Sequence, residues 1–153
     1  MLFTGEYNLP PDVLSAAGGG AIGMYVSTTA VAHEGLSPAG RAFLRKFRKA
    51  QPDGVVPSAV YIVEAAQAAE VLLQAIASSD GTRASVTREL RRLKVENGIL
   101  GSFQFDRNGD ITPATFTIFR ITGERKRDPE LPEIFGGAEV DRIVRVPTAL
   151  AGS

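Results

Sequence analysis

Residues 17–23 read AGGGAIG, and the last six of them satisfy the pattern G-x-G-x-x-G. A dinucleotide-binding fingerprint needs these glycines directly after a strand and at the start of a helix, so that free backbone amides hold the pyrophosphate. Here the order is reversed. Residues 10–17 are typical of a short helix that begins with prolines, and residues 21–27 are typical of a strand. The glycines therefore predict a helix-to-strand connection, and we predict no cofactor.

Length, composition and charge exclude several classes of protein. The chain has 153 residues, of which 44% are apolar and 22% charged, as in one soluble globular domain. Its net charge of zero argues against a nucleic-acid partner or a polybasic membrane surface. The absence of cysteine excludes disulfides and thiolate metal sites. The start, MLFTGEYNLPP, lacks the basic and apolar regions of a signal peptide, so we expect none in this chain.

Three further helices follow the glycine connection. Ser37 and Pro38 form an N-cap and first turn for a helix through Ala50, whose many basic residues are typical of a solvated face. The longest helix is predicted from Ser58 to about Ser78, and its alanines indicate close packing against a neighbouring element. Another amphipathic helix is predicted over residues 84–95.

The second half of the chain is rich in β signals. Residues 102–106 alternate, Asn108-Gly109 is a strong turn dipeptide, and residues 115–121 form a β-rich return strand, which together predict a hairpin. The stretch DRNGD at 106–110 has its glycine at the fourth position rather than the sixth that a calcium loop needs, so a hairpin turn is favoured over a metal site. Residues 142–146, RIVRV, predict a final edge strand.

Candidate functional side chains are few. His33 is the only histidine and no nucleophile motif accompanies it, so we predict that the chain is not an enzyme. Glu6 and Tyr7 directly follow a short apolar strand, at the position where open α/β sheets bind ligands. A carboxylate there can bind an ammonium group, and a tyrosine can cover a small ligand. The alternative is that Glu6 is an exposed loop residue.

In this order, the segments resemble the C-terminal part of type I periplasmic binding proteins. Within that fold they look most like the leucine/isoleucine/valine-binding family, the receptors of ABC importers for branched-chain and related amino acids. The resemblance covers residues 1 to about 122. Its most specific motifs are GSFQFDRNGD at Gly101–Asp110 and AGGGAIG at Ala17–Gly23.

The resemblance implies an α/β fold with two Rossmann-like lobes, joined by crossover strands, that close like a hinge on a ligand. Residues 1–27 with 111–122 would form part of one lobe, and residues 28–106 part of the other. Residues 123–153 would be a C-terminal extension.

The resemblance also assigns the ligand-binding residues. Glu6 matches the family carboxylate that binds the α-ammonium group of the ligand, and Tyr7 is adjacent to it. The family's aromatic residue near the start of the long helix falls on Ala59, so Tyr61 is the remaining candidate there. The usual Tyr-Asp-Ala or Tyr-Ala-Ala of that helix is replaced by EAA at 64–66, and a strictly aliphatic amino acid ligand is therefore not implied.

Family members are more than twice this length, so we expect the chain to be a C-terminal fragment. The resemblance implies a periplasmic or extracellular, membrane-anchored full-length protein, a small-molecule ligand and an ABC permease partner. Strand edges left unpaired in a fragment favour self-association. Two alternatives remain open: a ligand-sensing domain of a signalling protein, and a truncated remnant that binds nothing.

Overall fold

A computed structural model describes residues 3–5, 16–51, 61–123 and 137–147. The α-helices of these residues are α1 (Pro38–Ala50), α2 (Ile62–Ala77) and α3 (Arg83–Arg92). The strands are β1 (Phe3–Gly5), β2 (Tyr25–Thr28), β3 (Lys94–Gly98), β4 (Gly101–Phe105), β5 (Ile111–Thr112), β6 (Ala114–Ile121) and β7 (Ala138–Val146). None of the helices in these ranges is long and apolar enough to cross a bilayer.

The described residues divide into two compact units. The first unit contains residues up to 35 together with 115–123 and 137–144, and the second contains residues 36–51, 61–114 and 145–147. Each unit has its own β-sheet. The sheet of the first unit has the strand order β1-β2-β6-β7, and the sheet of the second has the order β3-β4-β5.

The sheet of the first unit is mixed. Strands β1 and β2 are parallel, and β6 runs antiparallel to β2, with Val26 opposite Phe119. One face of β2 and β6 is buried, because side chains alternate between the two faces of a strand. The core of this unit consists of Ala21, Val26 and Ile121. Strand β7 lies at the end of the sheet, as the RIVRV segment predicts, and it begins earlier, at Ala138.

The glycine-rich segment is a helix-to-strand connection, as predicted. Residues Gly18–Ala21 form a single 3-10 turn that follows a helical residue pair and precedes β2. The Ile22 amide donates to the carbonyl of Gly19 at 3.2 Å, and the Gly23 amide donates to the carbonyl of Ile121 at 2.8 Å. These amides are therefore used by the chain itself. Strand β2 starts at residue 25 rather than at 21, because the turn continues through the glycine at 23, which has a φ of 86°.

The second unit is built around α2. The buried face of this helix consists of Val63, Gln67, Val71 and Ala75, which recur every four residues. Helix α1 begins where the sequence predicts, because the Ser37 side chain caps it. Helix α3 is capped in the same way by a threonine at residue 82.

Two antiparallel pairings form the sheet of the second unit. Strand β3 pairs with β4, and β4 pairs with the two-residue β5 across the predicted turn at 106–110. The hairpin is therefore confirmed, although its return strand is β5 and the longer β6 joins the other sheet. Residues 94 and 95 belong to β3, so the prediction that a helix extends to residue 95 is wrong. Residues 94 and 95 are extended because they pair with β4, with Val95 opposite Phe103, and this pairing outweighs the local helix propensity.

The expectation of Rossmann-like, parallel lobes is wrong for the described residues. The only parallel pair with a described register is β1 with β2, and three other pairs are antiparallel. Short hairpin connections join β3 to β4 and β4 to β5, and such connections can produce only antiparallel neighbours. The molecule is a mixed α/β fold.

Candidate ligand-binding site

The carboxyl ends of β1 and β2 lie at one edge of the first sheet, because these two strands are parallel. Gly5, the last residue of β1, is opposite Ser27. Crevices at such strand ends bind ligands in open α/β sheets. Glu6 and Tyr7 follow Gly5 in the chain and lie outside the described residues. The structure therefore describes the strand end that carries these two residues and not their side chains.

Two threonine hydroxyls hold the segment that leaves this edge. Thr117 is fully buried, and its hydroxyl donates to the carbonyl of Ala30 at 2.8 Å and accepts from the amide of Ala32 at 3.1 Å. The Thr28 hydroxyl accepts from the amide of Ala30 at 3.0 Å. Residues 28 and 117 are direct cross-strand partners in β2 and β6. Together they fix the path of residues 30–32 relative to the strand end beside Gly5.

Tyr61 is the one predicted ligand-binding residue that the structure describes. It occupies the N-cap position of α2, and its carbonyl accepts from the amide of Ala65 at 2.9 Å. The residue is 41% exposed, so part of it is accessible to a ligand. Glu64 lies in the first turn of the same helix and is half-buried. Ala59 lies outside the described residues.

The turn between β3 and β4 is held by two polar side chains of the second unit. The Ser37 hydroxyl lies 2.8 Å from the carbonyls of both Gly98 and Ile99, and it accepts from the Gly40 amide at 2.9 Å. The buried Gln67 accepts from the amide of residue 100 at 3.1 Å. A Cβ on Gly98 would collide with the Gln67 side chain, which explains the glycine there.

The pKa values of two exposed groups, one carboxylate and one guanidinium, are shifted from their ordinary values. Hydrogen bonds from the hydroxyl and the amide of Thr82, at 2.7 and 2.9 Å, lower the pKa of Asp80. The Asp141 carboxylate accepts from Arg142 Nε at 2.7 Å and raises the pKa of that guanidinium. Both arrangements stabilise local structure, since hydrogen bonds favour the charged form.

The other motifs have structural roles in the described residues. The Asp106 carboxylate accepts from the amides of Asn108 and Asp110 at 2.8 and 2.9 Å, so it caps the hairpin turn. His33 starts a short 3-10 turn and is half-buried. Within the described ranges no group of three or more histidine, cysteine or acidic residues can hold a metal ion.

Thr117 and Gln67 are positioning residues that the sequence patterns did not predict. Each is a polar residue at the period of a buried apolar face: Thr117 alternates with Phe119 and Ile121, and Gln67 lies one turn from Val63 and Val71. That placement is a usable signal, because a buried polar group needs a partner. The sequence does not reveal the partner itself.

A family model described as periplasmic binding protein matches residues 3–126. No curated protein sequence matches the chain.

Three solved structures are similar to this chain. A leucine-binding protein from Thermotoga maritima has 19% identity and a TM-score of 0.68, and the match covers 97% of this chain and 38% of that one. A leucine-, isoleucine-, valine-, threonine- and alanine-binding protein from Brucella ovis, in a closed conformation, has 17% identity and a TM-score of 0.63, covering 94% and 36%. A solute-binding protein of an ABC transporter from R. palustris, in complex with benzoate, has 16% identity and a TM-score of 0.62, covering 97% and 37%.

Each match covers a much larger share of this chain than of the solved protein. The chain spans between 36% and 38% of the length of the three proteins, although nearly all of it is matched. At identities of this size the likeness shows the fold alone.

Proposed function

Because this chain belongs to the periplasmic binding protein family, we propose that it supplies part of the solute-binding protein of an ABC importer. The family consists of binding proteins rather than enzymes, which confirms the prediction that the chain is not an enzyme. The observation that carries the proposal is the family match over residues 3–126, which includes β1, β2, all three helices and β6.

We propose that the chain contributes to two lobes. Residues 1–27 with 111–122 are assigned to one lobe, residues 28–106 to the other, and residues 123–153 to a C-terminal extension. The presence of two compact units, each with its own sheet, supports a two-lobed arrangement. Closure of two lobes on a ligand removes the ligand from water and strengthens its polar contacts.

Glu6 is the residue proposed to bind a cationic group of the ligand. It follows Gly5 at the carboxyl end of β1, beside the end of β2, and the threonines at 28 and 117 fix the neighbouring segment. A fixed edge of this kind supports ligand binding, because a preorganised site loses less entropy on binding. Tyr7, adjacent to Glu6, and Tyr61, exposed at the start of α2, are proposed to contact the remainder of the ligand.

A branched-chain or related amino acid is the proposed ligand class. The structural neighbour from T. maritima is a leucine-binding protein, and the one from B. ovis binds leucine, isoleucine, valine, threonine and alanine. The alternative is an aromatic carboxylate, since the neighbour from R. palustris holds benzoate. The two classes differ at Glu6: an amino acid has an ammonium group for it, and benzoate has none.

The location and partner of the protein follow from the same proposal. A solute receptor of this kind acts outside the cytoplasmic membrane, in the periplasm or anchored at the cell surface, and delivers its ligand to an ABC permease. The neutral overall charge gives no indication of a nucleic-acid partner.

Isothermal titration calorimetry tests the proposal. Leucine, isoleucine, valine and benzoate are titrated into a polypeptide that carries this chain together with the rest of the binding-protein fold. Saturable binding of one of the amino acids, with negligible binding of benzoate, is the expected result. The same titrations are repeated with Glu6→Gln, which removes the charge of the proposed binding residue. Glu34→Gln is the matched control, because Glu34 is an exposed carboxylate in the first unit. No saturable heat with any of these solutes would contradict the proposed function.

A further inference from the structure

Helix α2 presents a second apolar stripe on the side opposite its buried face. The stripe consists of Ile62, Ala65, Ala69, Leu72 and Ile76. Their spacing of three, four, three and four residues is the a/d pattern of a helix-pairing seam. Leu72 and Ile76 are each 46% exposed in the chain, so large side chains of the stripe face solvent. A helix that is apolar on both sides is normally covered on both sides.

The stripe contains no charged residue, and an adjacent exposed leucine widens its apolar surface. Leu73, next to the stripe, is 66% exposed. The only charged residues of α2 are Glu64 and Glu70, and both lie off the stripe. Two copies of this surface can therefore meet without placing like charges face to face, whereas a seam with an unpaired buried charge would not associate.

Residue sizes along the stripe are matched to an antiparallel partner. After Ile62 at its start, the stripe has the small residues Ala65 and Ala69, and the large residues Leu72 and Ile76 lie in its C-terminal half. In an antiparallel pair, a positions of one helix meet d positions of the other. Ala65 then faces Ile76 of the second copy, and Ala69 faces Leu72 of the second copy. Leu72 and Ile76 are each placed over an alanine, which permits close packing of the two helices.

We propose that the stripe on α2 is a self-association surface that pairs with the same stripe of a second copy of this chain, antiparallel and about a two-fold axis. Such a contact is isologous, because the same patch is used twice. The stripe includes none of the proposed ligand-binding residues, and Tyr61 flanks its N-terminal end.

The area that the face of the helix can bury limits the stability of the dimer. A 16-residue helix is about 24 Å long. Half the circumference of a cylinder of ~10 Å diameter gives a face of about 400 Å² per copy. Stable dimers bury about 800 Å² per partner. We therefore expect a reversible dimer with a dissociation constant between about 1 μM and 1 mM.

Sedimentation velocity of the purified 153-residue chain, from about 1 μM to 1 mM, tests the proposal. The expected result is a reversible monomer–dimer equilibrium. Ala69→Glu should raise the dimer dissociation constant by about a hundredfold or more, because two carboxylates would be buried against leucines. The variant is expected to fold, since Ala69 is exposed and glutamate is a good helix former. Gln74→Glu, an exposed position off the stripe, adds the same charge and should change the constant by less than about twofold.

Cysteine cross-linking determines the orientation, since the chain has no cysteine of its own. Ala69→Cys and Leu72→Cys chains, mixed and oxidised, should form the mixed disulfide in preference to either symmetric one. A parallel pair would instead favour the symmetric disulfides and would overturn the antiparallel assignment. A chain that stays monomeric to about 1 mM, or that associates equally well with Ala69→Glu, would overturn the proposal as a whole.

Discussion

Replacing Thr117 by valine tests whether its hydroxyl holds the segment that leaves the candidate binding edge. Valine keeps the shape of threonine and removes the hydroxyl. The carbonyl of Ala30 and the amide of Ala32 then lose their partner, at 2.8 and 3.1 Å in the native chain. Removing a buried hydrogen-bond partner costs about 1–3 kcal/mol, and Ala32 is only half-buried. We expect a total loss of about 2–3 kcal/mol in the free energy of opening this segment.

The assay is hydrogen–deuterium exchange at the amide of residue 32, read by NMR. A loss of 2–3 kcal/mol corresponds to a protection factor lower by about 30- to 150-fold. Thr117→Ser is the matched control, because it keeps the hydroxyl and removes one methyl group, at about 0.8 kcal/mol. Equal protection in Thr117→Val and the wild type, or lower protection in Thr117→Ser than in Thr117→Val, would show that the hydroxyl does not hold this segment.

Three more predictions concern the second unit. Gly40→Ala should lower the urea midpoint despite the higher helix propensity of alanine, because the added Cβ would lie 2.5 Å from the carbonyl oxygen of Ile99; a raised midpoint would contradict the close approach. Gln67→Met should lower the free energy of unfolding in urea by about 1–2 kcal/mol, because the amide of Leu100 loses its hydrogen-bond acceptor. An unchanged midpoint would show that this amide has another partner. Hydrogen bonds from Thr82 lower the pKa of Asp80 below its usual 3.8, so they stabilise the fold above that pH and are lost as pH falls through the lowered pKa. The difference in melting temperature between wild type and Asp80→Asn should therefore shrink as the pH falls through the lowered pKa. A difference that stays constant with pH would contradict a stabilising role for the ionised Asp80 carboxylate.

Local sequence signals predicted the elements that depend on local chemistry. Ser37 and Pro38 fixed the start of α1, and Asn108-Gly109 fixed the hairpin turn. The errors occur where distant partners decide. Residues 94 and 95 are strand because they pair with β4. The predicted return strand, residues 115–121, lies in β6 of the other sheet, and the shorter β5 closes the hairpin instead. Pro113 separates the two strands, since proline cannot donate to a ladder.

The candidate site was predictable only in part. A strand end followed by Glu6 and Tyr7 was visible in the sequence, and the family match includes that region. The clamp by Thr117 was not predicted, because alternation indicates that a residue is buried and does not identify the atoms it contacts. The parallel sheets expected from the resemblance were wrong, since the antiparallel hairpins make up the second sheet.

A two-by-two titration tests whether the Glu6 carboxylate binds a ligand cation. Leucine and 4-methylpentanoate, which differ by the ammonium group, are each titrated into the wild type and Glu6→Gln in a polypeptide that carries the whole fold. We predict a coupling free energy of about 1.5–3 kcal/mol between Glu6 and the ammonium group. Glu6→Gln should weaken the binding of leucine and leave the binding of 4-methylpentanoate nearly unchanged. Leucine binding that is equally strong in the wild type and in Glu6→Gln would contradict this role of Glu6.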